Sequence, residues 1–434
     1  MPFSFKIAVH TRSSDMAAFI SRCILWHTIH TANERGFHMD AKTILESAQQ
    51  IKSDILTHRR TLHSNPEAGA HLPQTTAYVM QQLTRLGYQP VEICPSGIVA
   101  EITGEDTGRC ILLRADMDAL PIREQSGLDF QSTNGNMHAC GHDMHTAMLL
   151  GAAQLLRKHQ KALKGTVKLV FQPDEESLTG AKKMLAAGVL ENPPPQAGMA
   201  LHVISNVPSG MVLCGKGRFM AGCSHFRLRV TGVGCHGAMP ETGIDPINIA
   251  AHIYLGLQAL IAREISPTTP ASITVGKFSG GSNSNIIPQE VILEGTIRSF
   301  DKDVSAKLLQ RVRQIAENTA SVFLGNASLE VFADTPPLHN DEELMAKIQA
   351  FAGTLLGNQA VYAVEQGGMG SEDFSVYTEA LPCAYLLLGA GTQKEDSRYG
   401  FPMHNEKIIF NEDILTQGAA LYAWCALSWL EQAE

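Results

Sequence analysis

The sequence predicts an α/β protein, with a layered domain built on a mostly parallel sheet and a ferredoxin-like βαββαβ domain inserted into it. Patterns of buried strands and amphipathic helices alternate over residues 110–203, as they do when helices connect parallel strands. The pattern changes after Gly222 and returns beyond Pro336 and Pro337. We therefore expect the larger domain to comprise residues 39–222 and 336–434, and the smaller domain to comprise residues 223–335.

In the larger domain, short apolar runs predict strands, and apolar residues spaced three or four apart predict helices. Met144, Ala147, Met148 and Leu155, for example, fall on one helical face. The predicted helices are 41–86 with breaks near Pro66 and Pro73, 144–156, 180–187, 341–356 and 412–430. The predicted strands are 110–113, 166–171, 199–203 and 383–388.

In the smaller domain, Phe226, Leu228 and Val230 alternate with polar residues, which is typical of a half-buried strand. Asp245 followed by Pro246 predicts the start of a helix, because aspartate caps the first turn and proline suits its first position. The predicted elements are strand 225–230, helix 246–263, strands 272–278 and 291–299, helix 304–322 and strand 327–332. Their order is that of the ferredoxin-like unit.

Composition argues against several classes of function. The net charge of -9 argues against a general affinity for nucleic acid, and no apolar run approaches the ~20 residues of a membrane span. We therefore expect neither partner. Nine scattered cysteines fit a reducing compartment better than a disulfide framework, so we expect a cytoplasmic protein. Residues 1–38 lack a clean signal-peptide core, and we expect them to be an extension outside the fold.

Four segments of the larger domain offer side chains that bind metals or accept protons. Three of them lie where a predicted strand ends or a predicted helix begins, and the fourth lies near the carboxyl terminus. The residues are Cys140 and His142, Glu175 and Glu176, His202, and His404. Each alone has an ordinary structural explanation, such as a helix start at which Asp143 is the N-cap. Together they predict a metal site at the carboxyl ends of the parallel strands.

The smaller domain adds three polar residues next to its predicted strands. His236 lies in a glycine-rich loop, Asn285 precedes the third strand, and Arg298 lies near the end of that strand. A turn, a turn-forming asparagine and a surface arginine would explain them equally well.

These residues occur in motifs that resemble the peptidase family M20 amidohydrolases, in the branch of hippurate hydrolases, N-acyl-amino-acid amidohydrolases and auxin-conjugate hydrolases. The motifs follow the order of that family and extend over residues 59 to 405. They are 59–67 (RRTLHSNPE), 114–121 (RADMDALP), 140–145 (CGHDMH), 175–176 (EE), 201–202 (LH), 236–240 (HGAMP), 295–298 (GTIR), 370–374 (GSEDF) and 404–405 (HN).

The resemblance implies hydrolysis of the amide bond of N-acyl amino acids or related small amide conjugates. It implies two divalent metal ions per subunit, of Mn, Zn, Co or Ni, and it gives the smaller domain the role of a lid and dimerisation domain. The implied metal ligands are Cys140, His142, Glu176, His202 and His404. Five protein ligands cannot complete two separate shells, so a ligand or a water must bridge the two ions.

Further roles follow from the same resemblance. Glu175 would be the general base, and Asp116 and Asp118 would orient the ligands from behind. The substrate carbonyl oxygen and carboxylate would be held by His236, Asn285 and Arg298.

The sequence departs from the family pattern in two places. Residues 70–73 (AHLP) replace an aromatic and acidic stretch in the amino-terminal helical region. Asp174 replaces a small residue before the two glutamates, and we expect its charge to influence the pKa of Glu175.

Two other functions compete with this interpretation. One is a cysteine hydrolase in which Cys140 is the nucleophile and His142 its base, although two residues on one loop rarely align for that role. The other is a metal- or peptide-binding protein without catalysis, which would have no need for Glu175.

The positions of His236 and Asn285 bear on assembly. If the first and third strands of the smaller domain lie parallel, His236 and Asn285 fall at opposite ends of the sheet, ~20 Å apart. Both could then serve one site only if two subunits contribute. We therefore expect a homodimer in which His236 reaches the metal site of the partner.

Overall fold

The computed structural model describes residues 40–432, so the expected extension at 1–38 lies outside the described residues. The helices are α1 (Ala41–Gln50), α2 (Lys52–Ser64), α3 (Pro73–Arg85), α4 (His142–Lys158), α5 (Gly180–Ala186), α6 (Pro246–Glu264), α7 (Lys302–Val322), α8 (Glu342–Leu356), α9 (Ser375–Thr378) and α10 (Leu415–Glu431). None of these helices is long and apolar enough to span a membrane.

The strands follow the same numbering along the chain. They are β1 (Val91–Cys94), β2 (Gly97–Thr103), β3 (Glu105–Asp116), β4 (Lys164–Gln172), β5 (Ala197–Ile204), β6 (Val212–Cys214), β7 (Gly217–Met220), β8 (Gly222–Thr231), β9 (Cys235–His236), β10 (Ala271–Gly280), β11 (Ile286–Ile287), β12 (Glu290–Ser299), β13 (Asn326–Thr335), β14 (Leu338–Asn340), β15 (Val361–Ala363) and β16 (Cys383–Gly389).

The larger sheet has the order β1-β2-β4-β3-β5-β16-β6-β15. Its four central strands, β4, β3, β5 and β16, are parallel. The β1–β2, β2–β4 and β6–β16 pairs are antiparallel. The predicted α/β fold is confirmed, but the sheet is mixed and not uniformly parallel. A short turn joins β1 to β2 and reverses the chain, whereas α4 joins β3 to β4 and α5 joins β4 to β5.

The central strands are almost entirely apolar because helices cover them. All residues of β16 are buried, and so are nearly all residues of α4 and α10. Parallel strands covered on both faces have continuous apolar sequences of this kind. Their carboxyl ends lie side by side, with Asp116 of β3 opposite Gln172 of β4.

The smaller sheet is antiparallel and has the order β10-β12-β8-β13. Helices α6 and α7 contribute Ile253, Leu257 and Val312 to a core that includes Leu228 and Leu293 of the sheet. The side chain of Asp245 accepts a hydrogen bond from the backbone N–H of Ile247 at the start of α6, as the sequence predicted.

The expected parallel arrangement of the first and third strands of this sheet is wrong. β12 pairs antiparallel with β8, so Glu290 lies opposite Thr231. Helix α6 returns the chain so that β10 runs parallel to β8, and the connection at 281–289 then reverses it, so β12 runs antiparallel to both. As a result His236 and Asn285 are neighbours, and the backbone N–H of Gly237 donates to the carbonyl of Asn285 at 2.8 Å.

Tyr422 joins α10 to two central strands. Its hydroxyl donates to the carbonyl of Arg114 in β3 at 2.7 Å and accepts from the backbone N–H of Leu201 in β5 at 2.9 Å. The side chain is fully buried, so water cannot replace this hydroxyl without entering the core.

We predict that Tyr422→Phe lowers the free energy of unfolding by about 1–3 kcal/mol, because two buried backbone groups lose their partner. Tyr362→Phe is the control, since Tyr362 is half exposed on β15 and should change stability by less than about 0.5 kcal/mol. Thermal and urea unfolding of both variants measure the effect. Equal stability of the two variants would contradict the prediction.

Candidate active site

The five predicted metal ligands lie together at the carboxyl ends of the central strands. The Sγ of Cys140 is 3.2 Å from Nε2 of His404 and 3.5 Å from Nε2 of His202. The Oε1 of Glu176 is 3.4 Å from Nε2 of His404 and 4.0 Å from Nε2 of His142. Residues separated by more than 260 positions thus place their ligand atoms around one small volume.

Gly141 allows Cys140 and His142 to point into this volume. It has a left-handed φ of 83°, and a Cβ at this position would lie 2.3 Å from a methyl group of Val203. Any larger residue would therefore clash as well as strain the backbone. Asp143 does not cap α4, in contrast to the structural explanation considered for it. It is buried, forms an ion pair with Arg59 at 3.0 Å, and lies 2.7 Å from Nδ1 of His63.

Backbone carbonyls orient two of the imidazoles. Nδ1 of His142 is 2.8 Å from the carbonyl of Asp118, and Nδ1 of His202 is 2.6 Å from that of Val203. Both rings therefore keep Nε2 available for the centre of the cluster. His145 differs, because Asp116 and the backbone N–H of Val203 engage its two nitrogens at 2.6 and 2.8 Å.

His404 reaches the cluster from a loop beyond β16. Its backbone has a left-handed φ of 67°, and its N–H donates to the carbonyl of Ala139 at 3.0 Å. A non-glycine residue held in this conformation is strained, and such strain is concentrated at functional sites.

The donor atoms fit a divalent metal. Nε2 of His142 and Oε1 of Glu176 are buried and have no hydrogen-bond partner within residues 40–432. A cation between them would satisfy both atoms, and sulfur, nitrogen and oxygen are all ligands of transition metals. Burial, together with the charges of Glu176 and Glu175, raises the pKa of the Cys140 thiol. A bound cation would counter this effect and stabilise the thiolate.

Glu175 lies beside the cluster and has its own orienting contacts. Its Oε1 accepts from the backbone N–H of Asp373 at 3.3 Å, and its Oε2 is 3.9 Å from Nε2 of His142. Asp118 fixes the turn, because its two carboxylate oxygens accept from the N–H groups of Glu175 and Glu176 at 3.0 and 3.1 Å. Burial and the charges of Glu372 and Glu176 raise the pKa of Glu175 well above its usual range.

The expected influence of Asp174 on Glu175 is not observed. The carboxylate of Asp174 turns away, forming an ion pair with Lys183 and a hydrogen bond with Thr179. Its charge is neutralised there, and it is not among the main causes of the raised pKa of Glu175.

Sequence reasoning missed a buried charge network behind the glutamates. The guanidinium of Arg114 donates to Asp116 at 2.6 Å and to Glu372 and Asp373 at 2.9 Å each. Arg114 and the two distal acids belong to motifs of the sequence, but nothing local indicates that they pair across some 260 positions. The network holds the loop that contacts Glu175.

A cavity of about 550 Å³ opens onto the cluster between the two sheets. Arg298 of the smaller sheet lines it together with Cys140, Glu175 and Glu176, and apolar side chains complete the wall. The apolar lining residues include Leu120, Leu178, Ile204, Met220, Leu387 and Met403.

His236 and Asn285 do not reach this cavity. Arg298 pairs with Cys223 at one end of β8, whereas Glu290 pairs with Thr231 at the other end. Those pairs are eight residues apart, or about 27 Å along the strand. His236 follows β8 at that distant end, Asn285 precedes β12 there, and both are exposed.

Comparison with known proteins identifies the family of this chain. Residues 112–428 match the peptidase family M20/M25/M40. The IAA-amino acid hydrolase ILR1-like 4 of Arabidopsis thaliana is 39% identical over 380 residues, covering 86% of this chain and 84% of that protein. The N-acetyl-L-cysteine deacetylase of Bacillus subtilis is 36% identical over 362 residues, covering 83% and 86%.

A solved structure agrees with these relatives. The Bacillus subtilis YXEP protein, described as a dinuclear metal binding peptidase from the M20 family, superposes with a TM-score of 0.74 at 32% identity. The match covers 89% of this chain and 100% of that one. The motifs, the fold and these similarities agree, and the chain belongs to the peptidase family M20/M25/M40.

Proposed function

We propose that the protein is a metal-dependent amidohydrolase that cleaves the amide bond of N-acyl amino acids or related small conjugates. The observation that carries the proposal is the position of Glu175, a buried carboxylate beside five potential metal ligands and open to the same cavity. The names of the relatives point the same way, since one is a hydrolase of IAA-amino acids and another deacetylates N-acetyl-L-cysteine.

Cys140, His142, Glu176, His202 and His404 would hold two divalent ions. Their mixed sulfur, nitrogen and oxygen donors suit Mn, Zn, Co or Ni. When bound, such ions supply a lowered water pKa and polarise a carbonyl oxygen. Asp116 and Asp118 would keep the ligands in place through the contacts to His145, His142 and the glutamate turn.

Glu175 would take a proton from water and return it to the leaving amine. A raised pKa suits both steps, because a weakly acidic carboxyl accepts a proton readily and can still donate it. The hydrogen bond from the N–H of Asp373 fixes one carboxylate oxygen, so the other is free to face the water. Arg298 would hold the substrate carboxylate at the opposite wall of the cavity.

The cysteine-hydrolase alternative has weaker support. The sulfur of Cys140 contacts the rings of His202 and His404. His142, the base of this alternative, has its Nδ1 at 2.8 Å from the carbonyl of Asp118. Burial raises the pKa of the thiol, and a nucleophilic cysteine needs the opposite shift. A pure binding protein would leave the position of Glu175 without a purpose.

We further propose that residues 223–335 form an inserted ferredoxin-like lid and dimerisation domain, and that residues 39–222 and 336–434 form the catalytic domain. The support is the order of the strands and helices in the smaller sheet and its separate core. We also propose a cytoplasmic location, which the unpaired state of the cysteines within residues 40–432 favours.

We also propose a homodimer, with a geometry that differs from the one expected from the sequence. His236 and Asn285 lie together, and it is Arg298 that lies at the opposite end of the sheet. A partner subunit would bring its His236 and Asn285 to the carbonyl oxygen of a substrate held by Arg298. The edge strand β10 offers unpaired backbone groups for this contact, and Leu255 and Phe278 are exposed near it.

Removal of metal should abolish hydrolysis, and divalent ions should restore it. The assay uses chelated protein reconstituted separately with Mn, Zn, Co and Ni. The substrates are N-acetyl, N-benzoyl and N-(indol-3-ylacetyl) derivatives of several L-amino acids. Activity that survives complete chelation would favour the cysteine hydrolase, and a lack of turnover with every metal and substrate would refute the proposed function.

Glu175→Gln should retain its metal but lose a factor of ~10²–10⁴ in kcat, which is the usual contribution of a general base. Glu176→Gln is the matched comparison and should lose metal affinity instead. Metal analysis and steady-state kinetics separate the two roles. Retention of more than about a tenth of the wild-type kcat by Glu175→Gln would show that another group accepts the proton.

Mixing Glu175→Gln with His236→Ala should recover activity if His236 acts across the dimer. After subunit exchange, a mixed dimer contains one site with both residues intact. Each variant alone, taken through the same exchange, is the control. Inactive preparations in which mixed dimers have been verified would show that His236 acts within its own chain or has no role.

A further inference from the structure

Arg298 is held at the cavity by a loop of the other sheet. Its Nη1 donates to the carbonyl of Met369 at 3.0 Å and to the hydroxyl of Ser371 at 2.9 Å. The same hydroxyl interacts with the thiol of Cys223, which lies opposite Arg298 in the sheet. No hydrogen bond joins Nε or Nη2 of Arg298 to any other residue in the described part of the chain, 40–432.

The guanidinium therefore uses Nη1 for contacts within the protein and leaves Nε and Nη2 available for a ligand. Arginine binds a carboxylate best through two parallel N–H groups presented by one edge of the guanidinium. Nε and Nη2 form such an edge, and the contacts of Nη1 prevent the group from rotating. Ser371 itself lines the same cavity, so its hydroxyl lies beside the space that a substrate would occupy.

The residues after Ser371 connect this arginine to the general base. Glu372 and Asp373 accept from Arg114 at 2.9 Å, and the backbone N–H of Asp373 donates to Glu175. A five-residue segment, 369–373, therefore contacts both the residue proposed to bind the carboxylate and the residue proposed to accept the proton.

We propose that Ser371 is a positioning residue for substrate carboxylate recognition, acting by fixing the guanidinium of Arg298 with its Nε and Nη2 edge towards the cavity. The proposal rests on the amidohydrolase function given above. It identifies the preferred substrates as amides whose amine portion carries a free carboxylate, in contrast to amides whose amine portion carries no charge. Ser371 does not itself touch the reacting atoms.

The test compares the best N-acyl amino acid of the panel with its carboxamide, which retains the scissile bond and lacks the negative charge. Wild-type enzyme should prefer the acid in kcat/KM. Ser371→Ala should reduce that preference by about tenfold, the smaller end of the effect of losing a hydrogen bond to a charged group. The loss should appear in KM for the acid, with kcat and metal content retained.

Two variants act as controls. Ser371→Thr keeps the hydroxyl and should retain the preference for the acid. Ser321→Ala removes an exposed hydroxyl from α7 and should behave as wild type. An equal loss of kcat/KM for acid and carboxamide in Ser371→Ala would overturn the proposal and leave Ser371 only a structural contact between the sheets.

The outcome also separates this inference from the proposed function. If wild type hydrolyses acid and carboxamide equally well, carboxylate recognition is absent and the inference fails, although the enzyme is still an amidohydrolase. If wild type discriminates and Ser371→Ala discriminates equally, Arg298 does not need Ser371. If neither substrate is hydrolysed with any metal, the proposed function fails first, and the inference fails with it.

Discussion

The rest of the site depends on one buried cation, the guanidinium of Arg114. It has only 1% of its surface exposed and contacts the carboxylates of Asp116, Glu372 and Asp373. Without it, three buried acidic side chains would lie together with no counter-charge, and the repulsion and the loss of hydration would cost several kcal/mol per charge. By pairing with all three, Arg114 ties the end of β3 to a loop from a remote part of the chain. That loop in turn orients Glu175.

The charge distribution around the cluster has a second effect. Burial and an excess of negative groups raise the pKa of both Glu175 and Cys140. The unpartnered nitrogen of His142 and oxygen of Glu176 would gain their missing interactions from a bound ion. Metal binding and local stability are therefore coupled, since a ligand that binds only the folded chain stabilises it.

Features encoded by neighbouring residues could be predicted from the sequence. The cap at Asp245, the buried central strands and the convergence of the strand-end side chains all follow from local patterns, and the structure contains them. The partners of Arg114 and the ion pair of Asp174 depend on contacts between segments that have no common periodicity. The direction of β12 relative to β8 is implied by the element order, because a helix leaves β10 parallel to β8 and the next connection reverses the chain. The expected separation of His236 from Asn285 is wrong for that reason.

The central position of β16 has a consequence for how the chain acquires its structure. This strand lies between β5 and β6, yet it comes from residues 383–389, and α10 covers the same core from the carboxyl terminus. A nascent chain emerging from the ribosome can complete the smaller sheet, whose strands end at residue 335, while the larger sheet still lacks a central strand. The apolar edge of β5 must stay unpaired until synthesis is nearly finished. An exposed edge of this kind can pair with other chains, so the larger sheet is exposed to aggregation until the last strands are synthesised.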